Sequence, residues 1–318
     1  MMRFVIRRVA VSVLMLWLAS VVIFVTLRVI PGDPIAARGT LPGFTAEQMA
    51  QLRHELGLDR SILAQYLDWM SGVLRGDFGQ SFFSDFSTTE LISTRIVPSV
   101  ELALMATLVG LLIAVPAAVL IALRPHSWLD RVLSSGAAGG MAVPPFWLGI
   151  LLVAFLSIEL GWFPTRGYVP FVEDPLENLR FVALPAVTMG VVVAAPVLRF
   201  LRAALLDVTR SDFVRTAEGK GLLWHEAVIR HALPNALMPT LTFVGMVVGS
   251  MLGGIVVIEY VFGWPGLGAL AVDSVGKRDY AVLQGVVLLA AAAFVLTSLV
   301  VDLLSVVIDP RLRDQMSA

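Results

Sequence analysis

Cysteine is absent from the 318 residues, which excludes disulfides, thiolate metal sites and a cysteine nucleophile. Charge is scarce: 15% of residues are Asp, Glu, Lys or Arg against 58% hydrophobic, where soluble globular domains carry about 25% charged residues. The formal net charge of -1 gives no electrostatic footprint for a nucleic-acid partner. No G-x-x-x-x-G-K-[ST] run occurs, so the chain has no P-loop of its own. Histidine is limited to His54, His126, His225 and His231. None has metal spacing with carboxylates on a shared face; the adjacent His225 and Glu226 sit about 100° apart around a helix. Gly266-Leu-Gly268-Ala-Leu-Ala271 has the letters of a dinucleotide fingerprint. It follows a Trp-Pro turn instead of a strand in a βαβ unit, so it is discounted. With no base positioned beside a serine, nothing in the chain carries the marks of a catalytic centre, and no cofactor is expected on it.

What the chain has in abundance is long apolar runs, with a mean hydropathy of +0.85. A helix needs about 20 apolar residues to cross the hydrocarbon core of a bilayer. About six stretches meet that requirement: Val9–Ile30, Val100–Leu123, Val132–Leu160, Phe181–Leu198, Met238–Ile258 and Ala281–Val307. The first is too long for the apolar part of a signal peptide, about 7–15 residues, and no small-x-small cleavage site follows it; it is expected to remain as a span. Basic residues set the orientation. Arg3, Arg7, Arg8, Arg124, Arg131, Arg199, Arg202, Arg210, Arg215, Lys220, Arg230, Arg311 and Arg313 fall on one side. The short loops of the other side hold only Arg166, Arg180, Lys277 and Arg278. Both termini are therefore expected in the cytoplasm of a multi-pass membrane protein.

The expected organisation is a cytoplasmic N-terminus and first span over residues 1–30, an extracytoplasmic insert over 31–98, a transmembrane core over 99–307 and a cytoplasmic tail over 308–318. In the insert, Thr45-Ala-Glu-Gln48 matches a capping box opening a helix that closes at Gly57. A second helix is expected from near Ser61 to before Gly76, with Ile62, Leu63, Tyr66, Leu67, Trp69 and Met70 as its apolar face. The insert is either a cap on the bundle or a contact for the solute. Pro116, Pro144–Pro145, Pro185 and Pro196 each remove a backbone donor and are expected to interrupt the spans. Gly245, Gly249 and Gly253 line one face of the fifth span, either for close helix packing or to leave room for cargo. Arg28, Glu101 and Asp302 lie a few residues from predicted span ends, where interfacial water is expected to solvate them; Glu159 and Glu259 lie closer to the outer boundary.

Between the fourth and fifth spans lies the most polar helix-prone stretch, within the connection 203–237. Ser211 or Asp212 can cap a helix through Phe213, Ala217 and Glu218; Gly219 and Gly221 either end it or let a partner's backbone come close. A second helical stretch is expected from Leu222 until Pro234 breaks it. The loop then exposes Arg215 and Lys220 beside Leu222, Leu223 and Trp224, a combination suited to docking in a partner's groove.

This segment resembles the EAA loop of ABC-importer permeases, in which a glycine is followed ten residues on by a hydrophobic residue and then x-Leu-Pro. Gly221 fits, followed by His231, Ala232, Leu233 and Pro234. The run Val214-Arg-Thr-Ala-Glu-Gly-Lys-Gly-Leu222 is similar to the V-R-T-A-R-A-K-G-L form of the dipeptide, oligopeptide and nickel branch, with Glu218 and Gly219 as departures. Pro31-Gly-Asp-Pro34, Leu56-Gly-Leu-Asp-Arg60, Gln65-Tyr66, Leu74-Arg-Gly-Asp77 with Gly79, Phe146-Trp-Leu-Gly149, Gly161-Trp-Phe-Pro164 and Leu184-Pro185 follow in that branch's order. So do Glu259-Tyr-Val-Phe-Gly-Trp-Pro-Gly-Leu-Gly268, Arg278-Asp-Tyr280, Gln284-Gly285 and Asp309-Pro-Arg311. The long insert after the first span resembles the B-type subunit.

The resemblance implies an all-α membrane protein of type I ABC importer architecture, one of two homologous permease subunits in a bacterial or archaeal plasma membrane. It implies a C-type permease partner, one or two ABC ATPase subunits that bind ATP and Mg, and an extracytoplasmic solute-binding protein. The coupling loop, over 212–234, would consist of Arg215, Thr216, Ala217, Glu218, Gly219, Lys220, Gly221, Leu222, Leu223, Leu233 and Pro234. Within the branch the expected cargo is a dipeptide or oligopeptide, with nickel chelates, glutathione or another small solute as the alternative. A stand-alone secondary transporter or channel would instead need internal repeats and mid-span ionisable residues, and a membrane-anchored assembly protein would leave the proline-broken spans without a use.

Overall fold

The computed structural model describes residues 2–29, 46–55, 57 and 59–308. Among them there is no β-strand, only an isolated bridge between Gln80 and Ser87. Helix α1 spans Met2–Val29, and the insert contributes α2 (Ala46–Glu55) and α3 (Ile62–Val73). The core holds α4 (Thr88–Leu123), α5 (Trp128–Ala142), α6 (Pro145–Leu152, continued by a π-helical turn over Val153–Glu159) and α7 (Pro175–Thr209). The connection that follows carries α8 (Asp212–Gly219) and α9 (Trp224–Ala227), the latter running through a π-turn at Val228–Ala232 into α10 (Leu233–Phe262). Helices α11 (Leu267–Lys277) and α12 (Tyr280–Ile308) complete it. Among the described residues, five stretches are long and apolar enough to cross a membrane, or up to 7 if each of two bent helix pairs counts as one.

The third expected span is the main departure. Val132–Leu160 is not one rod: α5 and α6 meet at 103°. Pro144 and Pro145 cause this, because a residue before proline is driven out of the α region, and Val143 is extended at φ -81°, ψ 125°. Pro116, Pro185 and Pro196 do not interrupt their helices, which run unbroken over 36 and 35 residues. Each helix holds two interior prolines and so lacks two donors, Pro98 and Pro116 in α4 and Pro185 and Pro196 in α7, and the remaining ladder carries it. The expected starts at Val100, Phe181 and Met238 lie inside longer helices, two of which open in polar first turns at Thr88 and Pro175 while the third runs on from Trp224.

The core forms along α4 and α7, where small residues let two backbones approach. A Cβ on Gly110 would stand 2.6 Å from Val193 Cβ, and one on Gly190 2.6 Å from Val109 Cγ1. Leu102, Ala106, Ala118, Val193 and Leu201, all fully buried, continue the seam. On α10, a Cβ on Gly245 would run into Val301 of α12 and one on Gly249 would stand 3.4 Å from the Phe294 ring, while Gly253 faces open space. Close packing therefore demands glycine at Gly245, while a methyl group at Gly249 would only meet the ring in ordinary contact.

The charged residues near span ends have protein partners, not interfacial water alone. Arg8 of α1 pairs with Asp302 of α12 at 2.8 Å. Arg28 lies 5.2 Å from the centre of the Phe24 ring, and the Tyr168 hydroxyl donates to Glu101 at 3.2 Å. In the insert, Ser61 caps α3 by accepting from Ala64 N. The expected apolar face of α3 divides: Tyr66, Trp69 and Met70 are half-buried, whereas Ile62, Leu63 and Leu67 are exposed. Tyr66 and Trp69 pack on Phe24 of α1, so α3 lies along α1 by one edge. Thr45, Pro31–Pro34, Leu56, Leu58, Asp309–Arg311 and the 308–318 tail beyond Ile308 lie outside the described residues.

Candidate functional site

The connection between α7 and α10 is fixed to the bundle on one side and open on the other. Helix α8 begins after Ser211, whose backbone is extended as a cap requires, although its hydroxyl donates back to Val208 O at 2.5 Å. Asp212 lies in the first turn, where the helix dipole favours an acid. Val214 and Ala217, three positions apart, turn inward and are buried; Val214 is fully enclosed by the main core. Phe213, Arg215, Thr216, Glu218 and Lys220 are exposed.

The end of α8 is a Schellman motif. Gly221 N donates to Glu218 O at 2.8 Å and Leu222 N to Ala217 O at 3.2 Å. The motif needs a left-handed residue, and Gly221 supplies it at φ +96°. Gly219 has no such role: it is the last helical residue, with open space where a Cβ would stand. The turn also tucks Leu222 in, so it is half-buried and not exposed as expected. Leu223 caps the next helix and is 61% exposed. Helical structure therefore begins at Trp224 instead of Leu222. The Trp224 indole donates to Leu123 O at the end of α4, 3.3 Å away. The outward apolar residues of the connection are then Phe213, Leu223, part of Trp224 and Ile229; Ile229 was not marked by the sequence reading.

Pro234 does not break the chain. The π-turn at Val228–Ala232 widens the helix immediately before it, with the Leu233 N–H bonded to Val228 O five residues back, so Pro234 follows a shifted bonding register and its missing N–H does not end the helix. Leu233 is half-buried and Pro234 exposed. The result is continuous helix from Trp224 into α10, anchored by the buried Ala227, Val228, Ala232 and Ala236.

The same end of the bundle carries a charge pair missed in the sequence. Arg202 of α7 donates through Nε and Nη2 to Asp130 of α5 at 2.8 and 2.9 Å, and Ser134 Oγ and the His126 N–H complete the carboxylate's shell at 3.0 and 3.1 Å. Asp130 is 4% exposed. The available signal was Ser127-x-x-Asp130, a helix-start pattern; Ser127 caps α5 by accepting from Asp130 N.

At the opposite end, the Glu259–Gly268 run is a junction. Gly263 closes α10 at φ +61°, and α11 turns back at 81° to the last part of α10. The buried Glu259 carboxyl accepts from Gly268 N and Ala269 N at the start of α11, at 2.7 and 3.1 Å, and from Ser99 Oγ of α4. A Cβ at Gly266 would overlap that carboxyl, and one at Gly268 would meet Val256 Cα at 2.4 Å. These glycines serve contact between helices, which explains the fingerprint-like letters. The buried Trp264 indole donates to Pro98 O at 2.8 Å and takes the Tyr168 ring edge-on at 4.7 Å. In the loop before α7, burial and then the nearby Glu101 carboxylate push the Tyr168 phenol above its ordinary pKa, so it remains a donor.

The family model described as "Binding-protein-dependent transport system inner membrane component" matches residues 114–314, and its N-terminal companion matches residues 1–97. A Sinorhizobium fredii protein described as "Probable peptide ABC transporter permease protein y4tP" is 36% identical over 310 residues, 98% of this chain and 99% of that protein. The Escherichia coli (strain K12) "Glutathione transport system permease protein GsiC" is 37% identical over 313 residues, again 98% and 99% of the two chains. The crystal structure of an amino acid ABC transporter with histidines is similar in fold, with a TM-score of 0.51 at 18% identity, over 75% of this chain and 97% of that one.

Proposed function

The chain belongs to the inner-membrane permease family of binding-protein-dependent ABC importers, in its peptide and oligopeptide group, and on that premise we propose that it forms half of a peptide translocation pathway driven through the 212–234 connection. The observation that carries this reading is the two-sidedness of α8. Val214 and Ala217 are buried in the bundle while Phe213, Arg215, Glu218 and Lys220 face outward. A partner that grips the outward face moves the bundle with it. The uninterrupted helix from Trp224 into α10 supplies the stiffness that such a lever needs.

In this reading the outward face seats in a groove of an ABC ATPase subunit, which binds ATP and Mg and hydrolyses the nucleotide; this chain supplies no catalytic group. A second, C-type permease completes the pathway, and an extracytoplasmic binding protein delivers cargo. Both termini and α8 lie in the cytoplasm, in agreement with the excess of arginine on that side. The names of the similar y4tP and GsiC, a peptide permease and a glutathione permease, support a peptide-like solute.

The test is reconstitution of the complete transporter with wild type or Gly221→Asp. Transport of a short peptide is expected to fall at least tenfold in the variant, while membrane insertion and permease pairing persist. Recovery of ATPase subunits with the wild type and their loss with the variant supports the reading. Full transport by Gly221→Asp, or wild-type transport in the absence of any ATPase subunit, overturns it.

A further inference from the structure

Helix α1 sets a depth scale. Its charges stop at Arg8 and resume at Arg28, and the uncharged run between them, residues 9–27, is about 28 Å of helix at about 1.5 Å per residue. That length matches the hydrocarbon core of a bilayer, about 30 Å. Phe24 therefore lies about 6 Å inside the boundary marked by Arg28, and Ser20 about 12 Å inside. Both are buried, and the insert reaches them there. Tyr66 meets Phe24 edge-on at 5.4 Å, Trp69 stacks on it at 5.9 Å, and the Tyr66 hydroxyl lies 2.9 Å from that of Ser20. Phe82, from beyond α3, packs with Leu27 of α1 and Tyr280 of α12. A segment expected wholly outside the membrane thus has its aromatic edge within the depth of the span.

Helix α3 has a second apolar face. Leu63, Leu67 and Leu74 follow at i, i+4 and i+11 and form one stripe; they are 67%, 57% and 81% exposed. The stripe, the Tyr66–Trp69 edge and Asp68 each take about a third of the helix circumference. Asp68 is the only charge in α3, and Arg60 neutralises it at 2.7 Å. Helix α2 of the same insert carries Glu47, Arg53, His54 and Glu55, so the scarcity of charge belongs to α3 and not to the insert as a whole. Leucines left in water forgo the stabilisation of burial. At the depth of Phe24 the surrounding medium is acyl chain, as apolar as leucine itself, and their exposure costs nothing.

We propose that α3 is an interfacial helix, with its Leu63–Leu67–Leu74 stripe seated among the acyl chains of the leaflet at the C-terminal end of α1 and with Asp68 and Arg60 at the water boundary. An amphipathic helix so placed buries its apolar face by about 5–10 Å, which is the level of Phe24. The insert is then held by α1 along one edge of α3 and by lipid along the next. This needs only a membrane-embedded chain and is independent of the coupling role of the 212–234 connection.

Because the chain has no cysteine, a nitroxide label reports on one chosen position. The complete transporter is reconstituted in liposomes with Leu63→Cys, Leu67→Cys, Leu74→Cys or Asp68→Cys in this chain and spin-labelled; the signal of the wild-type complex treated in the same way is subtracted to remove partner cysteines. Power saturation with oxygen, which concentrates among acyl chains, and with a water-soluble nickel chelate reads depth. The three leucine positions are expected to favour oxygen, about 5–10 Å below the headgroup boundary, and Asp68 to favour the chelate. Leucine labels that favour the chelate put α3 in water and overturn the proposal. Labels closed to both reagents overturn it as well, because a protein surface, the second permease or the binding protein, then covers the stripe.

Discussion

Ser99 of α4 donates its hydroxyl to Glu259 Oε1 of α10 at 2.6 Å, across 160 positions of sequence, and accepts the Leu267 N–H at 2.7 Å in return. One serine thus ties α4 to both arms of the α10–α11 bend. The carboxyl it meets is fully buried and also takes the Gly268 and Ala269 N–H groups. Glu259→Ala leaves these donors unsatisfied, at about 1–3 kcal/mol each before relaxation. The expected outcome is a clear loss of thermal stability of the purified transporter, with Ser99→Ala milder because water or a backbone shift can replace one donor. A melting temperature unchanged by Glu259→Ala would falsify the view that this junction is held by its carboxyl.

The two glycines that end α8 are expected to respond with opposite sign. Gly219→Ala adds a methyl group to a helical residue with open space around it, and is expected to stabilise α8 by about 1 kcal/mol. Gly221→Ala places a side chain at φ +96° and is expected to cost about 1–2 kcal/mol. Coupled ATPase activity of the reconstituted transporter, read beside thermal stability, checks the pair. Equal effects from the two substitutions would remove the Schellman assignment.

Gly110 and Gly190 face each other's neighbours across the α4–α7 seam, and both are closed to a Cβ at 2.6 Å. Gly110→Ala therefore forces Val193 or the helix axis to move, at about 1–3 kcal/mol for an overpacked site. Gly253→Ala, inside α10 where nothing lies within 4 Å, serves as the control and is expected to be neutral or stabilising by up to about 1 kcal/mol, never destabilising. Thermal unfolding in one detergent compares them, and a Gly253 effect as large as that of Gly110 contradicts the packing described.

The Asp130–Arg202 pair is bidentate, and only the acid is deeply enclosed, with side-chain exposures of 6% and 31%. Arg202→Ala leaves a buried carboxylate with two weaker donors and is expected to cost about 2–3 kcal/mol, at or below the range for breaking a buried pair because Arg202 reaches solvent. Arg202→Lys recovers only part, since an ammonium cannot fill both oxygens in the forked geometry. A double-mutant cycle with Asp130→Asn measures the coupling, and a coupling energy near zero is the result that rules out a structural role.

Much of this molecule is legible from local chemistry. The sequence places the end of α8 at Gly219 and Gly221 together and the start of α3 near Ser61, and the structure narrows these to a left-handed Gly221 and a Ser61 cap, chemistry that acts within four residues. The Pro144–Pro145 pair correctly marked an interruption, but not its 103° angle, because the rules state only which conformations are denied. Pro234 was misread for a related reason: a π-turn absorbs it, and whether a helix widens or ends depends on what buries Val228 and Ala232. The Leu222–Leu223–Trp224 run was read as uniformly exposed, although Leu222 folds under the turn and Trp224 reaches Leu123.

Local chemistry alone gives a chain of long apolar helices with one polar, helix-prone connection, because hydropathy, charge asymmetry and helix-end residues act over a few turns; the permease character of that connection rests on the resemblance of its motif. Only the tertiary structure decided which side chains meet: Ser99 with Glu259, Arg202 with Asp130, Tyr66 and Trp69 with Phe24, and Gly245 but not Gly253 with α12. Such contacts depend on helix rotation and axial offset. Those are fixed by the sum of many small packing terms along a whole interface, and no single residue's local preference encodes that sum.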